Sequence, residues 1–520
     1  MNKPAPGRRA HGKLSAASAA LATTLLTTGL LAGCGSSGSG SSGDGNGTLV
    51  FGITADPTQM VPWTSTSTQS IQVLSQIYSP LLNTDEDSVP EAGLADLPKV
   101  SADGKTYTFT LKKGLTFGNG SALDSTDVKY TYEKIMDPAS SASSASYFAS
   151  VASIDTPDKQ TVVVHLKQPD ASFVSGLTLV NTAIVPSDVP VKTLETKPVG
   201  SGPYQFVSRT PNESITLKRN PDYYAGTPGA AKVEFRIIPD DQSMVSSLKT
   251  GSVDVAIFDN PVTAKTAESG ETSSTPVDSL SYHVLQLRAS SPVLSNVNTR
   301  LAIQCAISRQ DVIDSAALGA GEPTGPITSP EYRSDPDDQP CPDQDLTKAK
   351  EYLAKAGKPN GFSLDLMTSQ GLYSTAVDEA QNIQAQLAKV GIKVKVETLD
   401  SNAYVQKWLD ADFDAAIALN GGSSDPNTMY ARYFTSSGSY NKVAGYSSPT
   451  LDKLFAQGIA TTDTSKRKAI YEQVSKQLVD NAPWVWLFTP KDYIVANKAV
   501  HGLEARTDAS LATLWKASIS

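Results

Sequence analysis

One stretch limits the fold more than any other. Phe362–Thr368 alternates apolar and polar residues, Ser374–Val390 carries apolar residues at helical spacing, and Ile392–Leu399 alternates again, with Gly391 placed to stop the helix between them. The same grammar runs through the chain. Leu49–Thr54, Thr106–Lys112, Thr161–Leu166, Tyr204–Ser208, Ser214–Arg219, Lys232–Ile238, Val253–Phe258, Asp414–Leu419, Trp484–Phe488 and Tyr493–Ala496 read as strands. Ser70–Tyr78, Ser243–Thr250, Ala403–Asp410, Ser448–Gly458 and Ser465–Val479 read as helices, and Asp124 with Asp127 caps another. Strands and helices interleaved in this way make an α/β or α+β body. No repeat of about 20–50 residues is visible, which leaves no basis for a solenoid or propeller.

The N-terminal stretch is of another kind. Lys3, Arg8, Arg9 and Lys13 come first, without an acid among them, and an apolar run of Leu, Ala and Thr follows, ending in Leu31-Ala32-Gly33-Cys34. A charged start, an apolar middle and small residues at the end make an export signal. The ending resembles the lipobox of bacterial lipoproteins, in which the thiol is lipidated and the chain is cut just before it. Residues 1–33 are therefore expected to be a signal peptide. Residues 34–48, rich in Gly and Ser, read as a flexible tether between the lipidated Cys34 and the body.

The net charge is −9, and the four cations of the leader would leave with it. An acidic body argues against nucleic acid as the partner. No later apolar run reaches about 18 residues, so no second membrane span is expected. Of the three cysteines, Cys34 goes to lipid. Cys305 and Cys341 remain as a disulfide pair in an oxidising compartment, the alternative being two buried free thiols.

Catalytic signatures are nearly absent. His11 leaves with the leader, and His165, His283 and His501 sit in no zinc spacing. There is no G-x-S-x-G elbow. A G-x-x-x-x-G-K match at Gly7–Lys13 lacks the following Ser or Thr, and a G-x-G-x-x-G match at Gly33–Gly38 is tether. Asp240-Asp241 and Asp337-Asp338 read as solvated loop carboxylates. No enzyme activity, cofactor or metal is expected. The rival reading, a secreted hydrolase, requires one of the three remaining histidines to stand beside a Ser or Cys nucleophile.

Two blocks, FGNGSALDSTDVKYTYEKI from Phe117 and VGSGPYQFVSRTPNESITLKRNPDYYAG from Val199, resemble the extracellular solute-binding proteins of family 5, which serve ABC importers of the peptide/nickel type. Asp56-Pro57, Tyr282–Arg288, Arg300–Ser308, Gly421–Tyr433 and Ala482–Phe488 match in the same order. The resemblance implies a type II clamp of periplasmic-binding-protein kind. Its first lobe would be residues 49–278, with an extra subdomain at about 83–196. Its second lobe would be 279–483, and 484–520 would return to the first. A solute would bind between the lobes, most simply a peptide or similar polar oligomer, with an oligosaccharide or, less simply, nickel or haem as alternatives. The partners implied are a permease with its cytoplasmic ATPase and, through lipid, the outer face of the cytoplasmic membrane. The body is expected to be monomeric.

In the family's peptide binders an aspartate three residues before an acidic-Pro pair holds the ligand's α-amine. The matching position here, three before Asp425-Pro426, is Gly422. Asp425 could supply the charge, or it could cap the following helix. Asn420, Gly421, Gly422 and Ser423 offer amide and backbone partners. Trp63, Tyr282, His283, Trp484 and Trp486 are candidate cleft walls, because aromatic faces suit both sugars and apolar side chains.

Overall fold

A computed structural model describes residues 47–57 and 59–520; the expected leader, Cys34 and all of the tether before Gly47 lie outside these described residues. Twelve strands form one sheet. They are β1 (Thr48–Ile53), β2 (Tyr204–Thr210), β3 (Ser214–Arg219), β4 (Lys232–Ile237), β5 (Val255–Phe258), β6 (Thr272–Asp278), β7 (Tyr282–Leu287), β8 (Gly321–Pro323), β9 (Ser363–Gln370), β10 (Lys393–Asp400), β11 (Ala415–Asn420) and β12 (Trp484–Asn497). Six helices matter below: α1 (Ser125–Met136), α2 (Pro261–Ala267), α3 (Arg309–Ala316), α4 (Ala376–Ala388), α5 (Pro426–Phe434) and α6 (Thr464–Asn481).

The spatial order is β10-β9-β11-β7-β12-β5-β1-β4-β3-β2, with β6 and β8 also paired to β12. Two parallel groups stand on either side of β12. In one, β1 lies between β4 and β5 and runs parallel to both. In the other, β9 lies between β10 and β11 and runs parallel to both. Ligands of open α/β sheets gather at the C-terminal ends of such strands. Here those ends are Phe258 of β5 and Gln370 of β9.

Side-chain alternation builds the cores. Leu49, Phe51 and Ile53 of β1 face the largest core, and Val50 faces a smaller cluster with Met244, Val245 and Leu248. A separate four-stranded sheet, Lys99–Val100, Thr106–Thr110, Thr161–Leu166 and Val151–Asp158, adds Tyr107, Phe109, Val162 and Val164 to that largest core. Helix α1 begins with the capping box expected of Asp124 and Asp127.

The cores fall into two sets. One uses residues from Leu49 to Val277 and again from Ile494 to Ala517. The other uses residues from Tyr282 to Phe488. The chain therefore passes from the first set to the second just after Val277 and back again within β12. Trp484 and Trp486 still pack with Tyr430, Phe434 and Leu478. The change of core thus falls between Phe488 and Ile494, later than residue 484.

Two late strands expected from the sequence are one continuous strand. Pro490 sits at its middle, where β12 changes neighbours from β7 to β5 and β6. Proline lacks an N–H, but its carbonyl still accepts from Ser279 at 3.3 Å. In the second set of cores, Cys305 at the end of its helix is bonded to Cys341 in the following loop, with 5.0 Å between Cα atoms.

Candidate functional site

Where β5 ends, Asp259-Asn260-Pro261 starts α2; Asn260 accepts from the backbone N–H groups of Val262 and Thr263, and Pro261 needs no donor partner there. Where β9 ends, Gly371 takes φ +102°, a backbone that L side chains rarely adopt, and releases the loop through Tyr373 to Thr375. Between these two strand ends lies a cavity of about 300 Å³. The first set of cores contributes Asp259, Asn260 and Pro261 to its wall, and the second contributes His283, Leu419, Tyr373–Thr375, Asp378 and the end of α3 with the turn after it. The two chain crossings close it, through Ser279, Ser281 and Phe488–Asp492.

The wall is acidic. Asp259, Asp378 and Asp492 are all part of it, against one cation, Lys491. That cation is already engaged, by Glu322 at 2.8 Å and Asp278 at 3.1 Å. Burial, with Asp508 and Asp259 adding repulsion, pushes the Asp492 carboxyl up to about 6. Asp508 stands behind the crossing, accepting from the Leu280 N–H at 2.7 Å and the Ser279 hydroxyl at 3.1 Å.

His283 is 3% exposed. Its Nδ1 lies 2.8 Å from Glu379 Oε1, which also accepts from the Thr375 hydroxyl at 2.5 Å. Its ring stacks on Phe488 at 4.1 Å and meets Tyr373 edge-on at 5.3 Å. This is a fixed wall group, oriented on three sides.

Of the residues the sequence singles out, His283 alone lines this cavity. Trp63 is buried in the largest core, and its carbonyl accepts from Ser143. Tyr282, Trp484 and Trp486 are buried among Tyr430, Tyr433 and Phe434. Strand alternation explains the split: His283 pairs with Leu419 and Tyr282 with Asn420, so the second pair faces the opposite side of the sheet. Asn420 donates to the Tyr282 hydroxyl at 3.2 Å. Gly421 is open around its Cα, whereas a Cβ on Gly422 would come within 1.9 Å of the Leu280 carbonyl. The Ser423 carbonyl accepts from Ser329 at 2.6 Å.

Asp425 is fully committed elsewhere. One oxygen caps α5 through the N–H groups of Asn427 and Thr428. The other is 2.6 Å from Arg467 of α6. Arg467 also donates to the Gly458 carbonyl and the Tyr332 hydroxyl, and lies over the Tyr332 and Tyr471 rings. This pair sits behind a second, much smaller cavity of about 20 Å³, where residues 87–90 and Ser175 face Pro330–Tyr332 and Ser424. Nearby, the Ala171 N–H donates to the Ile459 carbonyl at 2.7 Å, joining the two sets of cores.

Asp259, Tyr373, Asp378 and Asp492 were not singled out from the sequence. The available signal was positional, because Asp259 directly follows, and Tyr373 lies three residues beyond, strands of parallel groups. The other histidines make no buried catalytic group. His165 lies on an exposed sheet face near Thr106 and Asp155. His501 is exposed beside the Ser520 hydroxyl at 3.1 Å.

Two sets of cores joined by two crossings, with a cavity lined by both at the join, describe a two-lobed binding protein. The chain belongs to the bacterial extracellular solute-binding proteins, family 5, whose middle-region pattern matches residues 89–441. Proteins of this family are substrate-binding components of ABC transporters, act outside the cytoplasm, and are not enzymes. The chain is 28% identical over 501 residues to the oligopeptide-binding protein AppA of Bacillus subtilis, covering 90% of this chain and 91% of that one. It is 26% identical over 470 residues to the glutathione-binding protein GsiB of Escherichia coli, covering 85% and 89%. The solved structure of AgaA from A. tumefaciens R10 in complex with agropinic acid superposes with a TM-score of 0.74 at 29% identity, covering 91% of this chain and 99% of that one.

Proposed function

We propose that this protein is the lipid-anchored receptor of an ABC importer. It captures a peptide or similar small polar solute in the cavity between β5, β9 and the two crossings, and presents the closed form to a permease. The observation that carries the reading is a cavity of about 300 Å³ with mixed polar and apolar walls, built from both sets of cores, in a chain that belongs to family 5 over most of its length. The named ligands of AppA and GsiB support the peptide class. In this reading residues 49–278 and the end of the chain act as one lobe and the residues from about 279 to 488 as the other, hinging at 278–282 and 488–493. Cys34 carries the lipid, and the Gly/Ser tether lets the body reach the permease.

A thermal-shift series with di- to pentapeptides tests capture. A ligand at about one hundred times its dissociation constant adds about 2.7 kcal/mol, and the unchanged peptide is recovered afterwards. Hydrolysed peptide, or no shift with any peptide, overturns the reading. Cys34→Ser in a bacterial host moves the protein from the membrane fraction to the soluble fraction; membrane retention overturns the anchor.

A further inference from the structure

The two sets of cores also meet outside the large cavity, at the C-terminal end of the helix Pro449–Ala460. The last carbonyls of a helix have no partner within it. Here three of them are answered one by one. The Thr461 hydroxyl donates to the Gln457 carbonyl at 2.7 Å, and Arg467 Nε donates to the Gly458 carbonyl at 2.9 Å. The Ile459 carbonyl takes its donor from the other set of cores, the Ala171 N–H at 2.7 Å. A helix of the second set is thus capped in part by the backbone of the first.

Each partner is fixed by its own set of cores. Asp170 opens a turn that the Phe173 N–H closes onto its carbonyl at 3.3 Å, and Asp170 Oδ1 accepts from the Ser172 N–H at 3.1 Å and the Ser172 hydroxyl at 2.6 Å. The Tyr107 hydroxyl donates to the Asp170 carbonyl at 3.1 Å, and the Phe173 ring meets Tyr107 and Phe148 edge-on in the largest core. Opposite, Gly458 lies so close to the Tyr471 ring that a Cβ would come within 2.7 Å of it, and Arg467 is held by Asp425 and Tyr332. Beside this contact, residues 87–90 and Ser175 face Pro330–Tyr332 and Ser424 across a space of about 20 Å³, room for about one water. Among the described residues that line the large cavity, none belongs to this contact, so it needs nothing from a solute.

We propose that the Asp170–Phe173 turn is a latch that holds the two lobes closed without solute, by capping the helix Pro449–Ala460 across the cleft. This rests on the two-lobed reading and goes beyond it, because it assigns the expected extra subdomain, residues 83–196, a task that the large cavity does not share. The resting protein is then mostly closed, and capture begins with an opening. One backbone hydrogen bond shifts the ratio of closed to open molecules about threefold to tenfold. It acts on surfaces that are already shaped to meet.

The test is amide hydrogen exchange of the intact, solute-free protein, resolved at Ala171. Lys167 is the reference inside the first set of cores, where its N–H donates to the Ser150 carbonyl at 2.8 Å. Ala171 exchanging about tenfold or more slowly than an unprotected amide supports the latch. Exchange at the unprotected rate, with Lys167 still protected, overturns it. Protection of Ala171 that appears only on adding trialanine also overturns it, and leaves peptide capture standing. Ala171→Pro removes the donor alone, because the second position of such a turn favours proline and Ser172 beyond it holds φ −75° and ψ −16°. The second measurement uses the Cys34→Ser protein, in which Cys305 and Cys341 are bonded to each other. There a Ser175→Cys thiol, at the small gap, should react with a bulky maleimide about threefold to tenfold faster with Ala171→Pro than without it. An unchanged rate overturns the latch. Neither measurement requires a bound solute, so if no peptide binds, the capture reading fails and the latch is still decided.

Discussion

The Arg467–Asp425 pair and the Asp259–Asp378–Asp492 wall handle charge in opposite ways. In the first, each charged group is answered: Asp425 by Arg467 and two helix N–H groups, Arg467 by Asp425, a carbonyl, a hydroxyl and two aromatic faces. In the second, three carboxylates face a cavity and nothing in the described chain answers them. The difference separates structure from readiness. A buried charge with all partners in place fixes the turn that leads into α5. The wall carboxylates, without a partner among the described residues, fix no such turn. By charge alone the sequence would rank Asp425 and Asp378 together; the packing gives them different work.

Breaking the satisfied side has the largest expected effect. Arg467→Met leaves Asp425 buried without its cation, and urea denaturation should show a loss of about 3–5 kcal/mol. A loss below about 1 kcal/mol would mean that water replaces the guanidinium and that the pair is not sealed.

The unsatisfied side should respond to pH. The folded state holds the Asp492 proton up to about 6, above the usual carboxylate range. The folded protein therefore binds more protons than the unfolded chain between about pH 4 and pH 6, and stability falls as pH rises through that window. The full effect is at most about 3 kcal/mol, by the ordinary conversion of a pKa difference. Asp492→Asn should flatten that part of the melting-temperature profile and raise the melting temperature at pH 7. An unchanged profile would show that the carboxylate is already neutralised in solution.

Smaller effects sharpen the contrast. Gly422→Ala pushes a Cβ against the Leu280 carbonyl, and overpacking of this kind costs about 1–3 kcal/mol. Since Leu280 lies on a crossing, the loss should appear in thermal melts. Asp378→Asn, in contrast, removes an exposed and unpaired charge, and the melting curve of the ligand-free protein should shift by no more than about 0.5 kcal/mol. A large loss there would mean that Asp378 supports the fold and is not held open.

Much of the fold was legible because its elements carry local signatures. The β9–α4–β10 unit, the capping box of α1 and the alternation of β1 each declare themselves within a few residues. The edge partners were less legible. Strand β6, TSSTPVD, has little apolar alternation, and its pairing with β12 comes from a segment more than two hundred residues away. Trp484–Phe488 and Tyr493–Ala496 read as two strands where one strand changes neighbours. The candidate site was legible only as a neighbourhood. Aromatic residues did not lead to this cavity, because Trp484, Trp486 and Tyr282 alternate inward with the core face while His283 alternates toward the cavity. The carboxylates that line the cavity come from a turn after a strand, the first turn of a helix and the middle of a strand, a conjunction that only the tertiary arrangement makes.

The position of β1 bears on how the body withstands force. The described chain begins at Gly47, beside Ile519, and within one residue enters a strand held on one side by β4 and on the other by β5. A pull arriving along the preceding residues is borne first by β1. Because its neighbours run alongside it in the same direction, that pull loads the ladder hydrogen bonds in shear, many at once, and does not peel them one by one. A load entering at Gly47 therefore meets the first set of cores before it reaches the crossings at 278–282 and 488–493.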